Sequence, residues 1–387
     1  MPWKEASIMS QRLELVMLAQ AGELPLKELC RRFKVSRKTA YKWIRRHRQG
    51  GERELLDRSR RPLHSPARCD SGVEQCIMKL RQTHPAWGPR KLRRRLEEQS
   101  RSSSTAKLVH VPAASTISRI LKRNGLIHDA AWQQHTAYQR FEYPKPNDLW
   151  QMDFKGHFAL VAASKNTGLG RCHPLCVLDD HSRYALGIRA CNNEESGTVQ
   201  TQLSELFRCY GLPAGMLMDN GSAWSKQTKL AIWLMRLGIR VLHGRIGHPQ
   251  TQGKLERFNR TLKAEAIGCL SFATLTHAQK RFDDWRDVYN LQRPHEALDL
   301  ATPASRYQPS LRPFPEQLPQ IEYGPADKVH TVNGTGQIFH AKRRWMIGQA
   351  FVGLPVAVRP TLIHDLLAVY FCHQKVAEIN LQKQNPR

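Results

Sequence analysis

The sequence predicts a multidomain chain: α-helical helix-turn-helix units at the front, a mixed α/β domain in the middle and a small β-barrel at the end. Apolar residues recur at helical spacing through the first third. Strand-like and helical runs alternate through the middle, and short glycine-punctuated strands fill the last part. A chain of 387 residues also exceeds one typical domain. The predicted divisions are 1–50, 51–69, 70–130, 140–305, 306–326 and 327–387.

The charge of the chain is strongly positive and uneven. The net charge is +27, and residues 1–145 hold 31 Lys and Arg against 13 Asp and Glu. Such a basic front is typical of a surface that binds nucleic acid. The pattern predicts no secretory leader and no membrane contact, since no apolar run approaches the length of a span. Nine scattered cysteines fit free thiols, so we expect a cytoplasmic protein.

Residues 1–50 are predicted to form a helix-turn-helix unit. Helical periodicity runs over three segments, 10–21, 25–33 and 37–48. Ser36 is placed to cap the third helix, whose apolar face carries Trp43. The opposite face holds the expected DNA contacts Arg37, Lys38, Tyr41, Lys42 and Arg45. In this motif the last helix enters a major groove, although three helices that pack without DNA would show the same spacing.

A basic linker and a second helical unit follow. The linker at 51–69 is polar and interrupted by proline and glycine, so we expect it to follow DNA phosphates or a minor groove. Its candidate contacts are Arg58, Arg60 and Arg61. Residues 70–130 contain three helical segments, and the candidate DNA contacts there are Arg90, Lys91 and Arg94.

The middle of the chain is predicted to form one mixed sheet with helices on its faces. Predicted strands are 150–154, 158–162, 174–178, 183–190, a strand that ends at Asp219, and 239–242. Predicted helices are 196–210, 226–237, a basic helix that carries Glu256, and 276–290. Prolines then mark the linker at 306–326, and six short strands between 328 and 379 predict the terminal barrel.

Three acidic residues stand in distinctive contexts within this domain. Asp153 lies in the strand-like run Leu-Trp-Gln-Met-Asp-Phe, Asp219 follows an apolar run and precedes Asn-Gly, and Glu256 lies near the start of the basic helix. Carboxylate oxygens suit hard cations, and two such ions can stabilise both the attacking and the leaving oxygen of a phosphodiester. The three acids are therefore candidate catalytic and metal-binding residues.

The contexts of these acids resemble the catalytic domain of retroviral-integrase-like DDE transposases, which bacterial insertion sequences encode. The motifs that carry the resemblance are Val-Leu-Asp-Asp-His-Ser-Arg-Tyr at 177–184, Asp-Asn-Gly-Ser at 219–222, His-Pro-Gln-Thr-Gln-Gly-Lys-Leu-Glu at 248–256 and Pro-His-Glu-Ala-Leu at 294–298. They span roughly residues 140–310. The resemblance implies a ribonuclease H-like fold, preceded by a second helix-turn-helix unit.

The resemblance also implies a reaction and its partners. Asp153, Asp219 and Glu256 would hold two Mg²⁺ ions, with Mn²⁺ as a substitute, and the site would nick the element's end and join the freed 3′-OH to target DNA. The partners would be double-stranded DNA, namely terminal inverted repeats and target. A homo-oligomer assembled on DNA is expected, in a bacterial cytoplasm at the nucleoid.

Cations around Glu256 form the last group of candidate DNA contacts. Positions 256, 260 and 263 share one helix face, so Arg260 and Lys263 are expected to flank the metals and bind phosphates. Lys254, in the approach to the helix, is a further candidate. Three other functions remain open: a helix-turn-helix regulator derived from a transposase, a ribonuclease H-type nuclease, and a transposase relative that has lost catalysis.

Overall fold

A computed structural model describes residues 8–58, 69–102, 110–127, 142–161, 170–219, 228–244, 253–268 and 270–382. The chain divides into two compact units, Met1–Arg68 and Cys69–Arg387. The predicted contacts Arg60 and Arg61 lie outside the described residues. None of the described helices is long and apolar enough to cross a membrane.

The first unit is a helix-turn-helix fold. Its helices are α1 (Ile8–Ala21), α2 (Leu26–Arg32) and α3 (Arg37–Gly50), followed by a 3₁₀ turn at Gly51–Leu55. Ser36 caps α3 as predicted, because its side chain accepts a hydrogen bond from the backbone N–H of Thr39. Leu15 and Leu29 pack with Ala40, while Trp43 packs with Val16 and Leu55. One side of α3 is thereby buried.

The second unit begins with three more helices around one apolar core. They are α4 (Ser71–Thr83), α5 (Pro89–Ser102) and α6 (Ala114–Arg123). Asp70 caps α4 by accepting the backbone N–H of Gly72 at 2.9 Å. The core is built from Val73, Ile77, Trp87, Leu92, Leu96, Ile117, Ile120 and Leu121. Val288, from the last helix of the α/β domain, packs against the same core.

The α/β domain is a mixed sheet of six strands covered by helices. The strands are β1 (Trp150–Phe154), β2 (Phe158–Ala159), β3 (Arg171–Asp179), β4 (Ala185–Cys191), β5 (Gly215–Met218) and β6 (Arg240–His243). The helices are α7 (Ser196–Tyr210), α8 (Lys229–Arg236), α9 (Gly253–Leu262) and α10 (Leu275–Leu291). β3 pairs antiparallel with β1, β2 and β4, whereas β1, β5 and β6 run parallel.

The two faces of this sheet have separate cores because successive strand residues point to opposite sides. Trp150 and Met152 pack in the core that includes α7 and α8. Cys176 and Leu178 pack in the core that includes α9 and α10. Since Asp153 follows Met152 on β1, its side chain belongs to the face that α9 covers.

The C-terminal region is all β, but the closed barrel predicted from the sequence is not confirmed. Its strands are β7 (Lys328–Thr331), β8 (Gln337–His340), β9 (Arg343–Met346), β10 (Pro355–Pro360), β11 (Leu366–Phe371) and β12 (Gln374–Asn380). Among the described residues they form a four-stranded sheet, β12-β11-β10-β7, and a separate β8–β9 hairpin. A 3₁₀ turn at Gln349–Phe351 separates β9 from β10, and the hairpin joins the core through Ile338 and Trp345.

The C-terminal sheet is attached to the α/β domain at one edge strand. The side chain of Gln374 donates to the backbone oxygen of Val241 and accepts from its N–H, both at 2.8 Å. These two bonds satisfy the backbone of a β6 residue. The linker before the sheet is extended and also bound: Arg312 donates to the carbonyls of Pro213 and Leu237 at 2.7 and 3.0 Å.

Candidate active site

Two of the three predicted acids lie side by side at the ends of parallel strands. Trp150 of β1 pairs with Met216 of β5, and Gln151 pairs with Leu217. When this pairing is extended by two residues along both strands, Asp153 lies beside Asp219. Neighbouring strands in a sheet are about 4.8 Å apart. The Nδ1 atom of His243 lies 3.0 Å from the backbone oxygen of Asp219. The end of β5 is therefore tied to β6 where the acid stands.

The electrostatics of Asp153 reflect this placement. Burial, together with the neighbouring carboxylate of Asp219, raises its pKa to about 6. Glu194, which follows β4, adds a smaller effect of the same sign and lies 2.9 Å from Nδ1 of His173. Like charges that share a partly buried site disfavour ionisation unless a cation compensates them.

Glu256 projects from the first turn of α9 and is exposed. Leu255, Phe258 and Leu262 bury the opposite part of the helix. Asn259, almost one turn after Glu256, donates from Nδ2 to Oδ2 of Asp153 at 3.4 Å. The side of α9 that carries Glu256 thus adjoins Asp153. Within the described ranges, however, no three Asp, Glu, His or Cys side chains are close enough to hold a metal ion.

The donor set around Asp153 fits a hard divalent cation. Asp153 and Asp219 offer carboxylate oxygens, which Mg²⁺ prefers. The buried Oδ1 of Asn259 has no hydrogen-bond partner among the described residues. Sequence reasoning did not identify Asn259 or Glu194. The spacing of Asn259, three residues after Glu256, was the available signal, because i and i+3 share a helix face.

Comparisons with known proteins agree with this architecture. Family profiles described as integrase core domains match residues 143–249 and 237–303, a helix-turn-helix domain matches 11–62, and a homeodomain-like domain matches 39–121. The C-terminal domain of IS481 family transposases matches 327–387. Over these regions the chain is similar to insertion-sequence transposases of the integrase superfamily.

The similar proteins include products of insertion elements and a viral intasome chain. An IS476 protein of Xanthomonas euvesicatoria is 27% identical over 63% of the chain and 66% of that protein, just under two thirds of its length. An IS407 protein of Burkholderia multivorans is 25% identical over 65% of the chain and 87% of that protein. A chain of the simian T-cell lymphotropic virus intasome, solved with PP2A regulatory subunit B56 gamma, is 18% identical, covers 75% of this chain and 96% of its own, and has a TM-score of 0.37.

The basic side chains predicted to contact DNA lie on the exposed face of α3. The candidate contacts Arg37, Lys38, Tyr41, Lys42 and Arg45 are all exposed. Together with Thr39, Ile44 and Arg48, four of them line a shallow cavity of about 790 Å³. Arg58, from the linker, pairs instead with Glu54 at 2.6 Å.

The candidates on α5 separate into different environments. Arg90 is exposed, and Arg94 pairs with Glu98 at 3.1 Å. Lys91 is largely buried, and burial lowers its pKa to about 8, with the positive charge of Arg293 acting in the same direction. Lys91 is therefore less accessible than Arg90, and its contact with DNA stays a prediction.

The candidates around Glu256 also divide. Arg260 on α9 and Lys263 directly after it are both exposed. A π-helical turn at Lys263–Ile267 ends the helix, and Glu265 within it accepts Arg293 at 3.0 Å and Nε1 of Trp285 at 3.1 Å. Lys254 instead pairs with the buried Asp180 at 2.6 Å, which argues against a DNA contact for its ammonium group.

Proposed function

We propose that this protein is a transposase, which binds the ends of its own mobile element and joins their 3′-OH groups to target DNA. Asp153, Asp219 and Glu256 are the proposed catalytic residues and metal ligands. The observation that carries the proposal is the pair Asp153 and Asp219 at the ends of adjacent parallel strands, with a raised pKa at Asp153. The integrase core matches support the same reaction class.

The chain's own residues would arrange the reaction rather than supply a nucleophile. When bound, two Mg²⁺ ions, or Mn²⁺ in their place, supply Lewis-acid stabilisation of the phosphodiester oxygens that exchange. Asn259 holds the carboxylate of Asp153 in place. His243 restrains the backbone of Asp219. Arg260 and Lys263, exposed beside Glu256, would neutralise phosphates of the bound DNA end.

Recognition of the element end is proposed to lie in the helical units. The exposed cations of α3 fit a major groove, and the matched helix-turn-helix and homeodomain-like domains support this use. Joining requires two ends at one target, so we propose a homo-oligomer assembled on DNA. A purely regulatory function would leave the Asp153–Asp219 pair without a role, and no observation favours it.

The decisive experiment is a joining assay with DNA that carries the inverted repeats flanking the gene. The full-length chain should join the ends of this DNA to a plasmid in Mg²⁺ or Mn²⁺ and not in EDTA. Asp153→Asn keeps the shape of the side chain and removes its charge, so it should bind the ends but not join them. A chain that binds the repeats yet never nicks or joins DNA would contradict the proposal and favour a regulator.

A further inference from the structure

The ion pair of Lys254 and Asp180 belongs to a buried polar network next to the site. Asp180 is fully buried at the β3–β4 turn. Its carboxylate accepts Nζ of Lys254 at 2.6 Å, Nε2 of Gln151 at 2.7 Å and the backbone N–H of Tyr143 at 2.9 Å. Lys254 also donates to the backbone oxygen of Asp180 at 3.3 Å. Both charged groups are thus held by several directed bonds.

Net stabilisation of the fold is not a sufficient explanation for this ion pair. Removing two charges from water costs about as much as their attraction returns, so buried ion pairs stabilise little compared with apolar residues of the same size. What they do provide is a defined geometry, because a charged group that leaves its partner remains buried and unpaired. The position of Lys254 indicates what this geometry serves.

Lys254 stands two residues before Glu256 in the first turn of α9. Gln151 and Asp153 lie on the same face of β1, since they are two residues apart on one strand. α9 is therefore attached to this face at two points, through Lys254 to Asp180 and Gln151, and through Asn259 to Asp153. Two attachments on one helix restrict both its rotation and its shift along the sheet.

We infer that Lys254 is a positioning residue, which fixes the first turn of α9 through Asp180 and Gln151 and thereby sets the direction of Glu256. The inference rests on the proposed function of Glu256. A helix rotation of about 20° moves a side-chain tip some 5 Å from the axis by nearly 2 Å. Mg²⁺ tolerates little departure from octahedral geometry, so a shift of this size removes a ligand.

The test compares single and double variants that separate stability from positioning. Lys254→Met and Asp180→Asn each leave a buried charge or donor without its partner, so each should lower the thermal unfolding midpoint. The double variant removes both charges and should recover most of that loss. Lys280→Met, an exposed lysine on α10, is the matched control and should behave as wild type.

Three measurements on these variants of the full chain decide the matter. Mn²⁺ affinity without DNA and the joining rate should fall about tenfold or more in the single variants and stay low in the stable double variant, as for residues that orient metal ligands. Binding to the element end should keep the wild-type salt dependence. Recovery of affinity and rate in the double variant would reduce the pair to a structural one.

A salt slope flatter by about one with unchanged Mn²⁺ affinity in Lys254→Met would instead make Lys254 a phosphate contact and overturn the inference. A different result would show that the proposed joining activity itself is wrong. It would appear as a wild-type chain without metal-dependent joining, or as a Glu256→Gln variant that joins normally. The inference fails when Glu256→Gln is inactive but the double variant matches wild type.

Discussion

Helices α3 and α9 were both expected to present basic residues to DNA, but their basic side chains differ in exposure. On α3, all five candidates are exposed on one face. Lys254, in the first turn of α9, forms an ion pair with the buried Asp180, while Arg260 near the end of α9 and Lys263 just after it are exposed. The α3 face lies opposite a buried stripe that contains Ala40 and Trp43, whereas Lys254 flanks the buried stripe of its helix.

This difference shows when helical periodicity is enough to predict whether a side chain is exposed. A residue opposite the apolar stripe is exposed in almost any packing of the helix. Whether a residue beside the stripe is exposed or buried depends on the groups that the neighbouring element places next to it. Lys254 meets the carboxylate of Asp180, and Lys91 is largely buried, with the charges of Arg293 and Glu265 acting on it.

The largest expected effect concerns the exposed acid on α9. Glu256→Gln should lower the joining rate by about 1,000-fold or more, because it removes a proposed metal ligand, while end binding stays within about twofold. Gel-based joining and binding assays measure the two quantities. Asp284→Asn, an exposed acid on α10, is the matched control. Near-normal joining by Glu256→Gln would exclude α9 from the catalytic chemistry.

The second prediction concerns the cost of the acidic pair without metal. The pKa of Asp153 rises from 3.8 to about 6 on folding, so the folded chain retains a proton between these values and stability falls as pH rises through that window. At pH 8 in EDTA the ionised group costs on the order of 3 kcal/mol. Asp153→Asn should therefore raise the unfolding midpoint at pH 8 and have no such effect near pH 4.

Thermal unfolding with and without Mg²⁺ checks this prediction. The wild-type chain should gain stability from Mg²⁺, and Asp153→Asn should gain little. A lower midpoint for Asp153→Asn at pH 8 in EDTA would mean that its contact with Asn259 outweighs the repulsion from Asp219.

The third prediction tests the face of α3. Arg37→Ala and Lys42→Ala should each weaken binding to the element end by on the order of 1–2 kcal/mol and flatten its salt dependence by about one counterion. Fluorescence anisotropy at several salt concentrations measures both quantities, and circular dichroism verifies that the unit is folded. Unchanged slopes for both variants would remove α3 from the DNA interface.

The fourth prediction applies the same measurement to α9. Arg260→Ala and Lys263→Ala should each weaken engagement of the end by about 1 kcal/mol and flatten the salt slope by about one, without loss of Mn²⁺ affinity, since neither side chain offers a ligand oxygen. Isothermal titration with Mn²⁺ supplies the second readout. Lost metal affinity would indicate that these cations hold the helix rather than the DNA.

The smallest effect is expected at Lys91. Because its pKa is lowered to about 8, the charged form is penalised in the folded chain below that pH. Lys91→Met should leave the unfolding midpoint unchanged or slightly higher at pH 7, and this gain should disappear as the pH approaches 10.5. The salt dependence of end binding should not change. A flatter slope would identify Lys91 as a phosphate contact.

Much of the architecture could be predicted from local patterns. The β1 strand was predicted with its observed bounds, and α7 as well, because alternation and helical spacing are local signals. The closed C-terminal barrel was predicted but is not confirmed, because alternation along the chain indicates strands and does not determine which strands pair. The 3₁₀ turn at Gln349–Phe351 separates β9 from β10, and the strand pattern gave no sign of it.

The sequence by itself determined the three candidate acids and the basic face of α3, because these depend on residue type and local spacing. The tertiary structure alone decided that Asp153 and Asp219 become neighbours, through the parallel register of β1 and β5, and that Asn259 contacts Asp153. It also decided that Lys254 pairs with Asp180. These outcomes depend on contacts between residues dozens of positions apart, and local spacing carries no information about which distant group a side chain will meet.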